Sequence, residues 1–259
     1  MTTVPLLEGR TAVVVGVGPG LGAAIARSLA EAGAAVVLAS RTRAVLDETE
    51  RSIRESGGDA TSVETDLDNP EDHIRLVEAV AACAGALDII VHNAARHGVQ
   101  EPFADADMSD WRLTMNTNVF APLALTQSLL PQLRKSDAAS VVFVGAMASR
   151  MVSSIGRAGY AVSKAAINQA VRSLAYELGS EGIRVNAVVP GWMDSARVES
   201  WRRDPKLAPM VDRALQSIPL GRIPLPEEVA GSVLYLASSL SKVVTGACID
   251  VNGGHFMAP

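Results

Sequence analysis

Short runs of β-branched and apolar residues alternate along this chain with longer segments whose apolar positions recur every three or four residues. Thr11 to Val15 reads as a strand, Leu21 to Ala32 as a helix, Val36 to Ser40 as a strand and Arg43 to Ser56 as a helix. Further strands are predicted near Thr61 to Glu64, Leu87 to His92, Ser140 to Val144, Arg184 to Val189 and Ala247 to Val251. Parallel strands need a crossover connection, so this rhythm predicts βαβ units. The expected fold is α/β: a single Rossmann-type, doubly wound parallel sheet with helices on both faces, spanning 1–259. One long segment breaks the rhythm, from Trp192 to about Pro226. It falls beyond the carboxyl end of a strand, where open sheets bind ligands, and is read as a substrate lid.

Composition narrows the partners. With 23 Lys and Arg against 28 Asp and Glu, the net charge is -5. No cationic excess is present to neutralise a phosphate polymer or an anionic membrane, so neither nucleic acid nor membrane is an expected partner. The first residues lack a basic stretch followed by an apolar one, and the expectation is a cytoplasmic protein without signal peptide or membrane span. Cys83 and Cys248 have no metal-ligand spacing and are expected to be buried thiols of a reducing compartment, with no metal site.

Chemistry first shows after the first strand, in Gly16-Val17-Gly18-Pro19-Gly20-Leu21-Gly22. Glycines there let the backbone turn and come close to a pyrophosphate at the following helix N-terminus. Cofactor choice is read at the end of the second strand, where a carboxylate would hold the ribose hydroxyls of NAD. Ser40-Arg41 stands there instead, and a guanidinium favours a 2′-phosphate, hence NADP(H), with NAD(H) the alternative. His92, on a strand, is read as structural.

Tyr160-Ala161-Val162-Ser163-Lys164 is the strongest local signal. Positions four apart share a helix face, so phenol and ammonium enter the same space. A phenol with pKa about 10 is a poor base for alcohol oxidation. Lowering that value by roughly three units takes about 4 kcal/mol, about what one positive charge at roughly 4 Å supplies at an effective dielectric near 20.

These motifs, in this order from about Leu7 to Gly254, resemble the short-chain dehydrogenase/reductase family, whose glycine spacing is that of Gly16, Gly20 and Gly22. The resemblance implies hydride transfer between a nicotinamide dinucleotide and a carbonyl or secondary alcohol, with Tyr160 as general acid or base. Lys164 would also bind the ribose, and Asn118, seven residues after Trp111, would kink a helix and hold a water of the proton relay. Asn116 is the competing position. Asp66 with Leu67 would contact adenine, and Asn93-Ala94 match the end of the fourth strand. Beyond Pro190-Gly191, Met193 and Ser195 would hold the carboxamide. Met151, Trp192 and Trp201, with Met193 and Met210, are candidates to surround the substrate or to pack the lid. A homotetramer is implied, pairing helices near Trp111 to Arg134 and Tyr160 to Gly179 with their copies, with Ala165, Ala166, Ala170 and Ala175 allowing close approach.

One expected member is missing. The family's catalytic Ser aligns with Ala146 by strand end and with Met147 by counting back from Tyr160. Either Ser149 takes over, with Ser153 and Ser154 further along the loop, or Tyr160 works alone. The departure leaves two other functions open: a redox-dead dinucleotide-binding protein, and atypical non-carbonyl chemistry on the same scaffold.

Overall fold

The computed structural model describes residues 5–83, 85–152 and 156–257, with Arg197 described in its backbone only. Seven strands form one sheet in the order β3-β2-β1-β4-β5-β6-β7, every pairing parallel. They are β1 (Thr11–Val15), β2 (Ala35–Ser40), β3 (Asp59–Glu64), β4 (Ile89–His92), β5 (Ser140–Val144), β6 (Arg184–Pro190) and β7 (Cys248–Val251). Predicted strand boundaries agree within two residues. At β4 the shortfall has a cause, since the Leu87 amide donates to the Gln132 carbonyl instead of a neighbouring strand.

Alternate strand residues serve opposite faces, which makes the sheet doubly wound. Ala12, Val14, Val36, Leu38 and Val142 join one core with α1 (Leu21–Glu31), α2 (Arg43–Glu55) and α9 (Pro226–Ala237). Val13, Val15, Val37, Ile90 and Val141 join the other with α3 (Pro70–Cys83), α5 (Ala121–Leu133) and α6 (Ala158–Leu178). α2 shows how patterning sets the face: only Leu46, Thr49 and Ile53 are buried, while Arg43 pairs with Asp47 and Arg54 with Glu50 on the wet side.

The helix predicted to open at Trp111 starts earlier, as α4 (Met108–Met115), with the Asp107 carboxylate capping the Ser109 amide. It runs through a π-helical turn (Asn116–Phe120) into α5. The interruption at 192–226 is ordered as α7 (Ala196–Arg203) and α8 (Ala208–Gln216), which close a small apolar cluster of Val198, Val211, Ile218 and Ile223 with Trp192 and Trp201. Two expectations need correction. Cys83 is exposed at the end of α3, not buried, and Cys248 is half-buried. Ala175 is buried in this chain's own core beneath α6 and offers nothing to a neighbouring subunit.

Candidate active site

Strand order reverses between β1 and β4, and open α/β sheets bind ligands in the crevice that such a reversal leaves at the carboxyl ends of the strands. The glycine turn sits there. Gly16 has φ +92, and a Cβ on it would lie 2.2 Å from the Ala94 amide nitrogen. That neighbour cannot retreat, because Ala94 donates to the Val15 carbonyl at 2.9 Å. Asn93 donates through Nδ2 to the Gly16 carbonyl at 2.7 Å, closing β4 onto the turn. A Cβ on Gly22 would meet that same carbonyl at 2.4 Å. Gly18 and Gly20 differ: a Cβ on either would meet nothing within 4 Å, so their bareness leaves open space in front of the α1 N-terminus. An anion approaching that turn meets backbone N–H groups without steric hindrance.

Further along this edge, Arg41 is exposed just past the tip of β2 and makes no ion pair among the described residues; Ser40 accepts only a long 3.4 Å contact from the Thr42 amide. Asp66 accepts from the Asp68 amide at 3.0 Å, and Leu67 is buried beside it. His92 is fully enclosed, stacked on Phe143 with ring centroids 4.8 Å apart. The Thr126 hydroxyl donates to the Pro122 carbonyl, so the His92 Nε2, 2.8 Å from that oxygen, must be the donor. Burial drives its pKa down to about 3.

At the carboxyl end of β5 stand Tyr160 and Lys164, both buried on α6. The Lys164 ammonium donates to the Val144 carbonyl at 2.7 Å, and desolvation lowers its pKa to about 8. It lies 5.9 Å from the centre of the Tyr160 ring. Ser163, between them, donates to the Tyr160 carbonyl and accepts from Asn118 Nδ2 at 2.9 Å. Asn118 also grips Arg96 from both sides, accepting from its N–H at 2.7 Å and donating to its carbonyl at 2.8 Å. The π-helical turn turns Asn118 inward for these bonds, whereas Asn116 faces outward onto Asp68.

The hydroxyl nearest the missing donor is held within its own turn. Ser149 Oγ donates to the Ala146 carbonyl at 2.6 Å and accepts from Asn168 Nδ2 at 2.7 Å. Ser153 and Ser154 lie outside the described residues. Met151 is half-buried after this turn. Trp192 and Trp201 contact each other edge to face at 5.7 Å inside the small apolar cluster, and Met193 packs against the main core. Ser195 caps α7 by accepting from the Val198 amide, which leaves its O–H proton available. Pro190 ends β6, and Gly191 packs so closely on Asn252 that a Cβ would come within 2.7 Å.

Two groups against Tyr160 escaped the sequence reading. The His97 ring lies 4.8 Å from the Tyr160 ring, tilted by 38°. Arg157 places its guanidinium carbon 5.9 Å from the centre of the same ring. Arg157 precedes Tyr160 by three residues, a helical-face spacing that could have revealed it; His97 carries no such local signal.

A family model described as Enoyl-(Acyl carrier protein) reductase matches residues 16–255. The cis-4-hydroxycyclohexanecarboxylate dehydrogenase of Sinomonas cyclohexanicum is 34% identical over 249 residues, covering 95% of this chain and 96% of that one. The 7alpha-hydroxysteroid dehydrogenase of Escherichia coli K12 is 31% identical over 249 residues, covering 96% and 94%. The solved Pseudomonas aeruginosa RhlG/NADP active-site complex superposes with a TM-score of 0.89 at 32% identity, covering 99% of this chain and 100% of that one. With the parallel sheet, the glycine turn and the Tyr160–Lys164 pair all in place, these likenesses over nearly the full length make the chain a member of the short-chain dehydrogenase/reductase family of oxidoreductases.

Proposed function

We propose that the protein interconverts a carbonyl compound and its secondary alcohol using NADP(H), with Tyr160 as the proton donor and acceptor. The observation that carries this reading is the pairing, across one crevice, of an open glycine cradle with a buried Tyr–Lys pair. The cradle fits a dinucleotide because Gly18 and Gly20 leave space in front of the α1 N-terminus, and Lys164 spends one of its three N–H donors on Val144, leaving two for ribose hydroxyls. When bound, the nicotinamide supplies or accepts the hydride. Asp66 and Leu67 would border the adenine, Asn93 and Ala94 the ribose side, and Met193 and Ser195 the carboxamide.

Tyr160 gives its phenolic proton to the carbonyl oxygen as negative charge develops there, and takes it back in the oxidative direction. Lys164, cationic near the ring, favours the phenolate that the oxidative direction needs. Asn118 positions this apparatus by joining Ser163 on α6 to Arg96 on the facing segment. Ser149 enters the chemistry only if its hydroxyl leaves the Ala146 carbonyl. Tyr160→Phe should lower turnover about 100-fold or more while nucleotide affinity changes little. Retained turnover would sink the assignment. If the parent binds nucleotide yet reduces no ketone in a broad panel, the redox-dead reading, which Ala146 favours, replaces it.

NADP preference rests on Arg41, unpaired among the described residues, and on Ser40 in place of a carboxylate at the β2 tip. Arg41→Ala should raise the KM for NADPH about tenfold or more and leave that for NADH unchanged; an unaltered NADPH value would refute the contact. Assembly as a homotetramer is supported by apolar side chains left exposed on the long helices, Leu113 and Phe120 on one and Val162 and Tyr176 on the other. A monomer mass in light scattering would contradict it. The 192–226 segment, with its separate apolar cluster, is proposed to close over substrate; unchanged amide exchange on adding NADPH and a substrate would argue against closure.

A further inference from the structure

Six arginines are half-buried among the described residues: Arg10, Arg27, Arg96, Arg150, Arg157 and Arg184. Arg10, Arg27, Arg96 and Arg150 each pair with a carboxylate. Arg184 donates to the Leu236 carbonyl at 2.7 Å and to the Ser241 hydroxyl at 2.9 Å. Arg157 alone among them has neither kind of partner in the described structure, and it stands over the ring of Tyr160. A half-buried guanidinium without a carboxylate partner is free to form a charge-assisted pair with an incoming anion.

Among the described residues no carboxylate forms an ion pair with Arg157, and those of the facing segment are bonded elsewhere. The chain at Gly156 packs against the Glu101 backbone, but the Glu101 carboxylate accepts from the Asp107 amide at 2.9 Å. Asp107 caps Ser109, and Asp110 holds the Arg96 guanidinium at 2.6 Å and the Val99 amide at 2.9 Å. The bonds from Asp110, with those from Asn118 to Arg96, also fix the segment that carries His97 against Tyr160. Gly98, at φ +68, is part of that seat, since a Cβ on it would come within 2.8 Å of Asp110 Oδ2. Tyr160 is therefore flanked by the Arg157 guanidinium, the Lys164 ammonium, which donates to the Val144 carbonyl, and the His97 ring, and among the described residues no carboxylate forms an ion pair with Arg157.

We infer that the substrate is a carboxylate, a keto acid or the corresponding hydroxy acid, whose anionic group pairs with the Arg157 guanidinium while its carbonyl or carbinol carbon faces Tyr160. This rests on the oxidoreductase reading above and names the substrate class of that same site. A planar guanidinium matches a carboxylate bidentately, and one permanent cation balances one negative charge. Arg157 is then the specificity-determining residue. Because its guanidinium carbon lies 5.9 Å from the centre of the Tyr160 ring, the carboxylate lies a few bonds from the reacting carbon.

The test uses matched acid and amide pairs on the full-length protein: levulinate with levulinamide, the oxocyclohexanecarboxylates with their amides, and unreactive benzoate with benzamide. For the ketones, the parent should show kcat/KM higher for the acid by about tenfold or more. Arg157→Gln should erase that preference by raising the KM of the acid alone, and Arg157→Lys should keep part of it. Equal turnover of acids and amides by the parent overturns the inference, as does Arg157→Gln lowering both alike, which would mean that the guanidinium acts on Tyr160 and not on substrate. Calorimetric binding of benzoate and benzamide to the NADP-saturated protein separates the two levels of the argument. If no ketone is reduced, yet benzoate binds in preference to benzamide and loses that preference in Arg157→Gln, the anion site stands and the redox reading falls. Absence of any preference for benzoate in the parent, with no pair discriminated in turnover, refutes the anion site.

Discussion

The two sides of the crevice are built differently. On the nucleotide side, backbone holds backbone: the Asn93 and Ala94 N–H groups both donate to the Val15 carbonyl, and glycines stand wherever a Cβ would strike a neighbouring peptide. On the substrate side, side chains hold side chains: Ser149 with Asn168, Asn118 with Ser163, and His97 and Arg157 against Tyr160. A ligand common to many enzymes can be met by main-chain geometry, which few residue types permit. A ligand particular to one enzyme is met by side chains, which many residue types can supply.

The comparison is broken most severely at its rigid end. Gly16→Ala would force a non-glycine residue to φ +92 and into the Ala94 amide, with no room to relax. Stability in urea should fall by at least about 3 kcal/mol. Gly18→Ala is the contrasting case, because its Cβ enters open space. Stability without nucleotide should stay within about 0.5 kcal/mol of the parent, while NADPH affinity drops. Should both variants behave alike in urea, the division of the turn into structural and ligand-facing glycines is wrong.

His92 tests the same rigid side through protons. Its folded pKa, about 3, lies below the ordinary value of 6.5. The unfolded chain therefore takes up the proton first as pH falls, and stability is lost from about pH 6.5 downward until the folded state also protonates near 3. By pH 5 the loss relative to pH 8 should be about 2 kcal/mol. His92→Asn should remove that slope while leaving the carboxylate contributions common to both proteins. Parallel stability curves for parent and variant across this range would show that the imidazole is not held neutral.

How much was legible in the sequence follows the same divide. β1, β5 and the start of α2 could be read to the residue because a buried parallel strand is a continuous run of Val and Ile, and because Leu46 and Ile53 recur at helical spacing. Gly16 and Tyr160–Lys164 were legible because their partners are close in sequence or belong to the backbone. His97 was not, since its place against Tyr160 depends on Asp110 and Asn118 gripping Arg96 and Val99 from helices further along the chain. Nor could the sequence show that Cys83 ends on the wet face of α3 or that Ala175 points inward, because an Ala-rich helix has little polarity to mark its faces. The spacing rule behind Arg157 was available, but it acquires meaning only when the surrounding carboxylates are seen to be occupied.

The smallest expected effect sits on the softer side, at the missing hydroxyl. A donor to the developing oxyanion is worth about 100- to 1000-fold in rate, so its replacement at Ala146 should be visible if nothing else has taken over. Ser149 has one proton, and that proton is on the Ala146 carbonyl, with the oxygen accepting from Asn168. Ser149→Ala should therefore lower turnover less than about threefold, while leaving Asn168 Nδ2 without its partner at a cost to stability of about 1 kcal/mol. Ala146 is half-exposed with extended backbone (φ -161, ψ 148), a conformation open to Ser, so Ala146→Ser should raise turnover on a substrate already accepted. A tenfold or greater loss in Ser149→Ala, without the matching gain in Ala146→Ser, would mean that the Ser149 hydroxyl rotates away from its turn when substrate binds. The softer side of the crevice would then be rearranged by its ligand, and its contacts without one would not describe the working site.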